Sequence, residues 1–397
     1  MLRDRNFAPF FVGNLTSNVG NWLFNVSAAV VVFRLTGSAF AVGLVSVAQF
    51  VPLVLVSPWA GALSDRMDRR RLLLLAQTVA ALSAAAIAVA ALLVGVESLP
   101  GAWPVILAAL GIGVGNAVAQ PAMNSLVPAL VAPADLAPAV SLTALTYNVG
   151  RALGPAGAGV LLVTLGAEVA FLINAVSFLA LIGGVLLVQP RPVEREDSSD
   201  RSVRAGVRFV RHDATSLLLL AGVATAGFAA DPAITLAPSI ADVLGGGDAL
   251  VATFVSGFGI AAIPGALSSG RLQTRHGSAT VAAGGMTVMA LGLTSAAVAP
   301  VPAMAVAGFC LMGTGFVLAV TSFTTLLQQR LPEALRGRVM ALWTVAFLGN
   351  RPLAAAIDGA TADLVGPRWA MLIAISVAVT GAAIALRLRR RHTTAGA

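Results

Sequence analysis

Four charged side chains interrupt stretches that are otherwise apolar enough to lie in a bilayer: Arg151, Asp231, Arg351 and Asp358. Charge at membrane depth is costly, so such residues face a cavity or a partner and mark routes for ions or substrates. An arginine stays charged, and each one here needs an acid, carbonyl oxygens or water beside it. Asp358 follows Arg351 by seven residues, on the same helical face but about 10 Å further along the axis. A direct pair would need the arginine fully extended, and a water bridge serves equally well. Asp231 precedes Pro232, which frees a backbone carbonyl and can bend a helix. An acid that alternates between a dry cavity and an arginine can take up a proton on one side and release it on the other. Asp231 and Asp358 are therefore proton-coupling candidates, the structural alternative being a permanent ion pair that only fixes packing.

Amides and hydroxyls form a second group. Asn14, Asn18, Asn21 and Asn25 fall within roughly 60° of one another at 100° per residue, one polar stripe on one helix. Asn116, Gln120 and Asn124 repeat the idea in the fourth apolar run, and Thr314, Thr321 and Gln328 in the tenth. With Arg151 and Arg351 they are candidates for lining a substrate cavity, or they bond neighbouring helices to one another. Enzyme chemistry has no footing. His212, His276 and His392 lie in charged connecting segments, and no nucleophile–base or metal-ligand cluster accompanies them. No Gly-x-x-x-x-Gly-Lys phosphate loop is present, so neither ATP nor another cofactor is expected.

The elements that must hold these residues are membrane helices. The 397 residues are 58% hydrophobic and 11% charged, with a mean hydropathy of +0.89, where a soluble domain carries about 25% charge. At about 20 apolar residues per span, the pattern predicts twelve helices, near 8–33, 40–63, 72–96, 103–127, 138–165, 169–189, 214–240, 250–270, 278–298, 303–327, 339–364 and 368–386. The fold class is an all-α membrane protein, with both termini on one side. All 25 basic residues are arginine, and only Arg34, Arg151, Arg351 and Arg368 fall outside the segments that alternate to that side. The positive-inside rule makes it the cytoplasm. The net charge of +8 is then topology plus attraction to anionic lipid headgroups, not a nucleic-acid surface. The lone Cys310 reads as a small buried hydrophobe. The first apolar segment, too long for a signal-peptide core, reads as an uncleaved spanning helix.

A charged stretch divides the chain into bundles 1–189 and 214–386, joined by a cytoplasmic linker 190–213 and followed by a cytoplasmic tail 387–397. Within the linker, 201–211 places Val203, Val207 and Val210 on one face, as an amphipathic surface helix or a solvated connector. The halves echo each other. Gly61-Ala62-Leu63-Ser64 recurs as Gly265-Ala266-Leu267-Ser268, and Pro133, Leu136, Val140 and Gly150 match Pro332, Leu335, Val339 and Gly349 at one offset, 199 (349 − 150). Two pseudo-symmetric six-helix bundles are expected.

The loop Gly61-Ala62-Leu63-Ser64-Asp65-Arg66-Met67-Asp68-Arg69-Arg70-Arg71 resembles the signature between the second and third helices of the major facilitator superfamily of secondary transporters. The resemblance implies that Gly61, Asp65, Arg66, Arg69 and Arg70 latch one conformation of an alternating-access cycle. Gly150, Gly154, Pro155 and Gly159 resemble the fifth-helix motif of drug–proton antiporters, with Ala158 standing where a further glycine is usual; generic tight packing is the alternative. Together with Arg34-Leu35-Thr36-Gly37-Ser38 and Pro332 to Val339, these pieces resemble the branch of siderophore and macrolide exporters. That implies a substrate site between the bundles and export of a small, largely apolar compound in exchange for protons, by a protein expected to act as a monomer. Import, or a sensor or scaffold role, is the alternative. Two departures bear on coupling: Asn21 stands where that branch often has an aspartate, and Gly111 to Asn116 lacks the fourth-helix arginine of many proton-coupled relatives. Few aromatics and few charged cavity candidates lean towards a lipophilic or weakly cationic solute.

Overall fold

In the computed structural model, which describes residues 4–132, 135–190 and 203–394, the chain is helical with no strand among the described residues. It forms two compact units, Met1–Glu196 and Asp197–Ala397. The first holds α1 (Phe7–Thr36), α2 (Ala39–Arg66), α3 (Arg69–Val94), α4 (Trp103–Leu130), α5 (Leu136–Thr164) and α6 (Ala167–Leu187). Among the described residues, eleven helices are long and apolar enough to cross a membrane. The further one expected, α5, has 29 residues, ample length at 1.5 Å per residue, but carries Thr143, Thr146, Tyr147 and Asn148 in its first half and Arg151 near its middle.

Short connections explain why the apolar runs stop where they do. Gly37 closes α1 in the left-handed region (φ 64°), its N–H bonding to the Phe33 carbonyl, a backbone state that glycine reaches without strain. Ser38 then caps α2, its hydroxyl accepting from the Ala41 N–H at 3.1 Å. Asp68 caps α3 in the same way through the Arg71 N–H at 2.8 Å.

The second unit holds α7 (Val203–His212), α8 (Ala214–Ala229), α9 (Pro232–Thr235), α10 (Ala237–Val243), α11 (Gly247–His276), α12 (Ser278–Val298), α13 (Pro302–Arg330), α14 (Glu333–Leu348), α15 (Arg351–Val365) and α16 (Pro367–Thr394). The seventh and eleventh spans are not the continuous helices expected. The seventh divides into α8, α9 and α10, with Pro232 and Pro238 at the starts of the second and third pieces, where a missing N–H is tolerated. The eleventh divides into α14 and α15 at Gly349-Asn350, with Pro352 in the first turn after the break. Of the linker, residues 191–202 lie outside the described residues. Residues 203–212 form α7, which packs on α14 with Gly206 facing Arg338. Val210 is buried and Val207 half-exposed. The arginine-rich end from Arg387 continues α16 as far as Thr394 rather than forming a separate tail, a favourable position for cations at a helix C-terminus.

The same packing recurs in each unit. In the first, α1 packs on α5 and α6, α4 on α2 and α3, and α3 on α6. In the second, α8 packs on α14 and α16, α13 on α11 and α12, and α12 on α16. Helix crossings at Gly113 and Gly313 repeat this symmetry. Gly113 faces the Gln49 backbone of α2, and Gly313 faces the Phe258 backbone of α11.

Candidate functional site

The break in the seventh span places Asp231 at the joint between α8 and α9, where its backbone carbonyl accepts from the Ile234 and Thr235 N–H groups at 2.9 and 3.1 Å. Its side chain is buried, and Oδ2 accepts from the Thr235 hydroxyl at 2.6 Å while Oδ1 has no hydrogen-bond partner. The break in the eleventh span places Arg351 at the first residue of α15, buried, and its charge acts on Asp231. Asp358, two turns further along α15, is fully buried with neither carboxylate oxygen hydrogen-bonded. The charge that acts on it is that of Asp231. Spacing along one helix suggested Arg351 with Asp358; the structure sets Arg351 against Asp231 on another segment. All three groups form one buried cluster in the second unit.

In the first unit the asparagine stripe meets α5. Asn14 donates to the Thr146 hydroxyl at 2.8 Å, and Asn18 donates to the Asn14 carbonyl at 2.8 Å and to Thr146 at 3.3 Å. Asn21 donates to the Ser17 carbonyl at 3.1 Å, with Asn116 of α4 at 3.5 Å from its oxygen. The Asn25 side-chain oxygen is buried without a hydrogen-bond partner, and Gln120 is exposed. Arg151 lies over the Trp22 ring, 5.8 Å from its centroid, and Tyr147 meets Trp22 edge-on at 6.2 Å. Arg151, Trp22, Tyr147 and the amides Asn14 and Asn18 thus line one α1–α5 seam. That seam is close because α5 presents glycine: Gly150 faces Asn18, Gly154 faces Trp22 and Gly157 faces Leu23. Pro155 lies inside α5 without breaking it, and Gly159 is buried.

The threonine candidates in the second unit serve backbone. Thr314 donates to the Ala261 carbonyl of α11 at 2.8 Å, and Thr321 to the Val317 carbonyl of its own helix at 2.7 Å. In the basic loop, Arg69 donates to the Ser125 carbonyl near the end of α4 at 3.2 Å, and Arg70 to the Val185 and Leu186 carbonyls closing α6. These are favourable charge–dipole contacts at helix C-termini. The side chains of Asp65 and Arg66, and the surroundings of Gly61, lie outside the described residues. Sequence reasoning missed Thr146, Thr235, Trp22 and Tyr147, and also Asn174, fully buried on α6 with neither side-chain polar atom hydrogen-bonded. Among the described residues no group of three His, Cys, Asp or Glu side chains could hold a metal.

A further ion pair ties α8 to α13. Asp213 caps α8 through the Thr215 and Ser216 N–H groups and accepts both Nε and Nη2 of Arg330, at 2.7 and 2.9 Å. The Arg330 hydrogen bonds hold the Asp213 carboxyl well below the ordinary carboxylate range. A depressed folded value contributes stability above the unfolded one, lost as pH falls through the folded one. Asp213→Ala is expected to destabilise the protein by about 1–2 kcal/mol at neutral pH. Thermal unfolding midpoints of wild type and variant should converge in strongly acid solution.

The family model described as "transmembrane secretion effector" matches residues 1–397. The enterobactin exporter EntS of Shigella boydii serotype 18 is 28% identical over 377 residues, spanning 91% of this chain and 86% of the relative. EntS of Escherichia coli O81 matches to the same extent. Among solved structures, a bacterial homologue of the human lysosomal transporter Spinster superposes with a TM-score of 0.78 at 14% identity, covering 97% of this chain and 96% of that one. A bacterial homologue of the iron transporter ferroportin gives 0.73 at 15% identity, covering 98% and 99%. At such identities the structures show the fold, two six-helix bundles of major facilitator type. The matched proteins are membrane transporters, and none is an enzyme. This chain belongs to the transmembrane secretion effector family of the major facilitator superfamily, and is a multi-pass bacterial membrane transporter.

Proposed function

We propose that the protein exports a small, largely apolar compound, of drug, antibiotic or siderophore type, in exchange for protons by alternating access. The observation that carries the proton part is the buried cluster in the second unit. Two carboxylates and one guanidinium leave one negative charge uncompensated when all are ionised, and three carboxylate oxygens have no hydrogen-bond partner. A buried unpaired carboxylate is several kcal/mol unfavourable, so the cluster favours one added cation, and a proton is the smallest. The enterobactin exporter relatives support export and a small-molecule substrate.

On this reading the basic loops and both termini face the cytoplasm. Asp65 and Arg66 join Arg69 and Arg70 as the latch of one conformation, and the protein works as a monomer in the cell membrane without ATP. The α1–α5 seam, with Arg151 and the amides, supplies the polar contacts that orient the substrate. The test is accumulation of a panel of lipophilic drugs and siderophores in efflux-deficient bacteria, with and without a protonophore. Expression should lower the accumulation of at least one compound, and the protonophore should restore it. Lowered accumulation that survives the protonophore would contradict proton exchange.

A further inference from the structure

We infer that the exchanged proton is carried by Asp358, and that Asp231, Arg351 and Thr235 form the fixed group that positions it. This rests on the proton-exchange reading and goes further, since that reading leaves the two aspartates equivalent. Their surroundings are not equivalent. Asp231 receives the Thr235 hydroxyl at 2.6 Å and the opposite charge of Arg351. Asp358 receives no hydrogen bond to either oxygen, is fully buried, and faces the like charge of Asp231. When a single proton neutralises the cluster, it is therefore bound at Asp358.

Among the described residues, the elements packed most extensively on α15 are α8, α9 and α16. The first two contain no charged residue besides Asp231 at their joint. On α16 the arginines lie at the ends, where Arg368 donates to the Ala299 carbonyl at 2.9 Å and the remainder begin at Arg387. On α15 itself, Asp363 is five residues beyond Asp358, about 7–8 Å along the axis. The helix breaks give this arrangement a way to change. Arg351 and Asp358 share one segment, α15, and Asp231 belongs to another. A displacement of α15 against α9 alters the charge felt by Asp358 without unfolding a helix. The step is a simple proton transfer: the Asp358 carboxylate binds one proton from water on one side and returns it as the carboxylate re-forms on the other.

The experiment is infrared difference spectroscopy on the purified full-length protein in lipid nanodiscs, titrated from acid to alkaline pH. It needs no identified substrate. Wild type should show the C=O stretch of one buried protonated carboxyl, sensitive to deuterium exchange. Asp358→Asn should lose the band, Asp358→Glu should move it, and Asp231→Asn should retain it at acid pH. A band that persists in Asp358→Asn, that vanishes in Asp231→Asn at acid pH, or that is absent from wild type would overturn the assignment. Protonophore-insensitive export with the Asp358 band intact would instead remove the exchange reading and leave the protonation site standing.

Discussion

Arg351→Leu is expected to remove most of the folded, active protein, and adding Asp231→Asn to recover much of it. The single substitution leaves the buried carboxylates of Asp231 and Asp358 without the cation that compensates them, and stranding a buried charge in this way is unfavourable by about 3–5 kcal/mol. The second substitution removes one stranded charge, and protonation of Asp358 neutralises the other. The four proteins form a double-mutant cycle. Unfolding midpoints in detergent should show a large non-additive recovery in the double variant. Additive losses would mean that Arg351 and Asp231 do not act on each other. Export should stay low in the double variant, because the pair that positions Asp358 is gone even where the fold returns.

The second large effect belongs to the α1–α5 seam. A Cβ at Gly154 would collide with the Trp22 Cβ and lie 3.1 Å from the Val19 carbonyl, and one at Gly150 would lie 2.8–3.0 Å from the backbone and Cβ of Asn18. Gly154→Leu must therefore push α5 off α1, taking Arg151 from the Trp22 ring and Thr146 from Asn14. Overpacking of this kind is unfavourable by about 1–3 kcal/mol or more, and the expected result is strongly reduced folded yield with loss of export. Gly183→Leu on α6, where a Cβ meets nothing within 4 Å, is the control and should leave both unchanged. Equal damage from the two variants would mean that helix propensity, not the seam, sets the effect. The glycine pattern of α5 is thus a packing device in this structure, whatever further role it has in exchange.

Hydropathy made the spans legible because the bilayer imposes one length and one polarity on every crossing segment. The duplication was legible too, through the offset that pairs Gly150 with Gly349. The breaks at Asp231-Pro232 and Gly349-Asn350 were only half visible. Pro121, Pro155 and Pro264 lie inside unbroken helices, so a proline alone does not say where a helix stops. The buried charges were found by their rarity, but their pairing was not. Sequence spacing sees neighbours along one helix, as with Arg351 and Asp358, whereas the charge of Arg351 acts on Asp231 across segments. Thr146 and Thr235 escaped for a different reason. Threonines that bond their own helix backbone are common here, as Thr78, Thr164 and Thr287 show, and nothing in the sequence separates them from those that serve other side chains.

The most direct test of proton-coupled export uses inverted membrane vesicles and a compound from the accumulation panel. An interior-acid pH gradient should drive its uptake into vesicles containing wild type. Collapsing the gradient with a proton–potassium ionophore should stop uptake, and Asp358→Asn vesicles should show none with the gradient intact. Uptake that continues after the gradient is collapsed, or that Asp358→Asn sustains at the wild-type rate, would contradict the account.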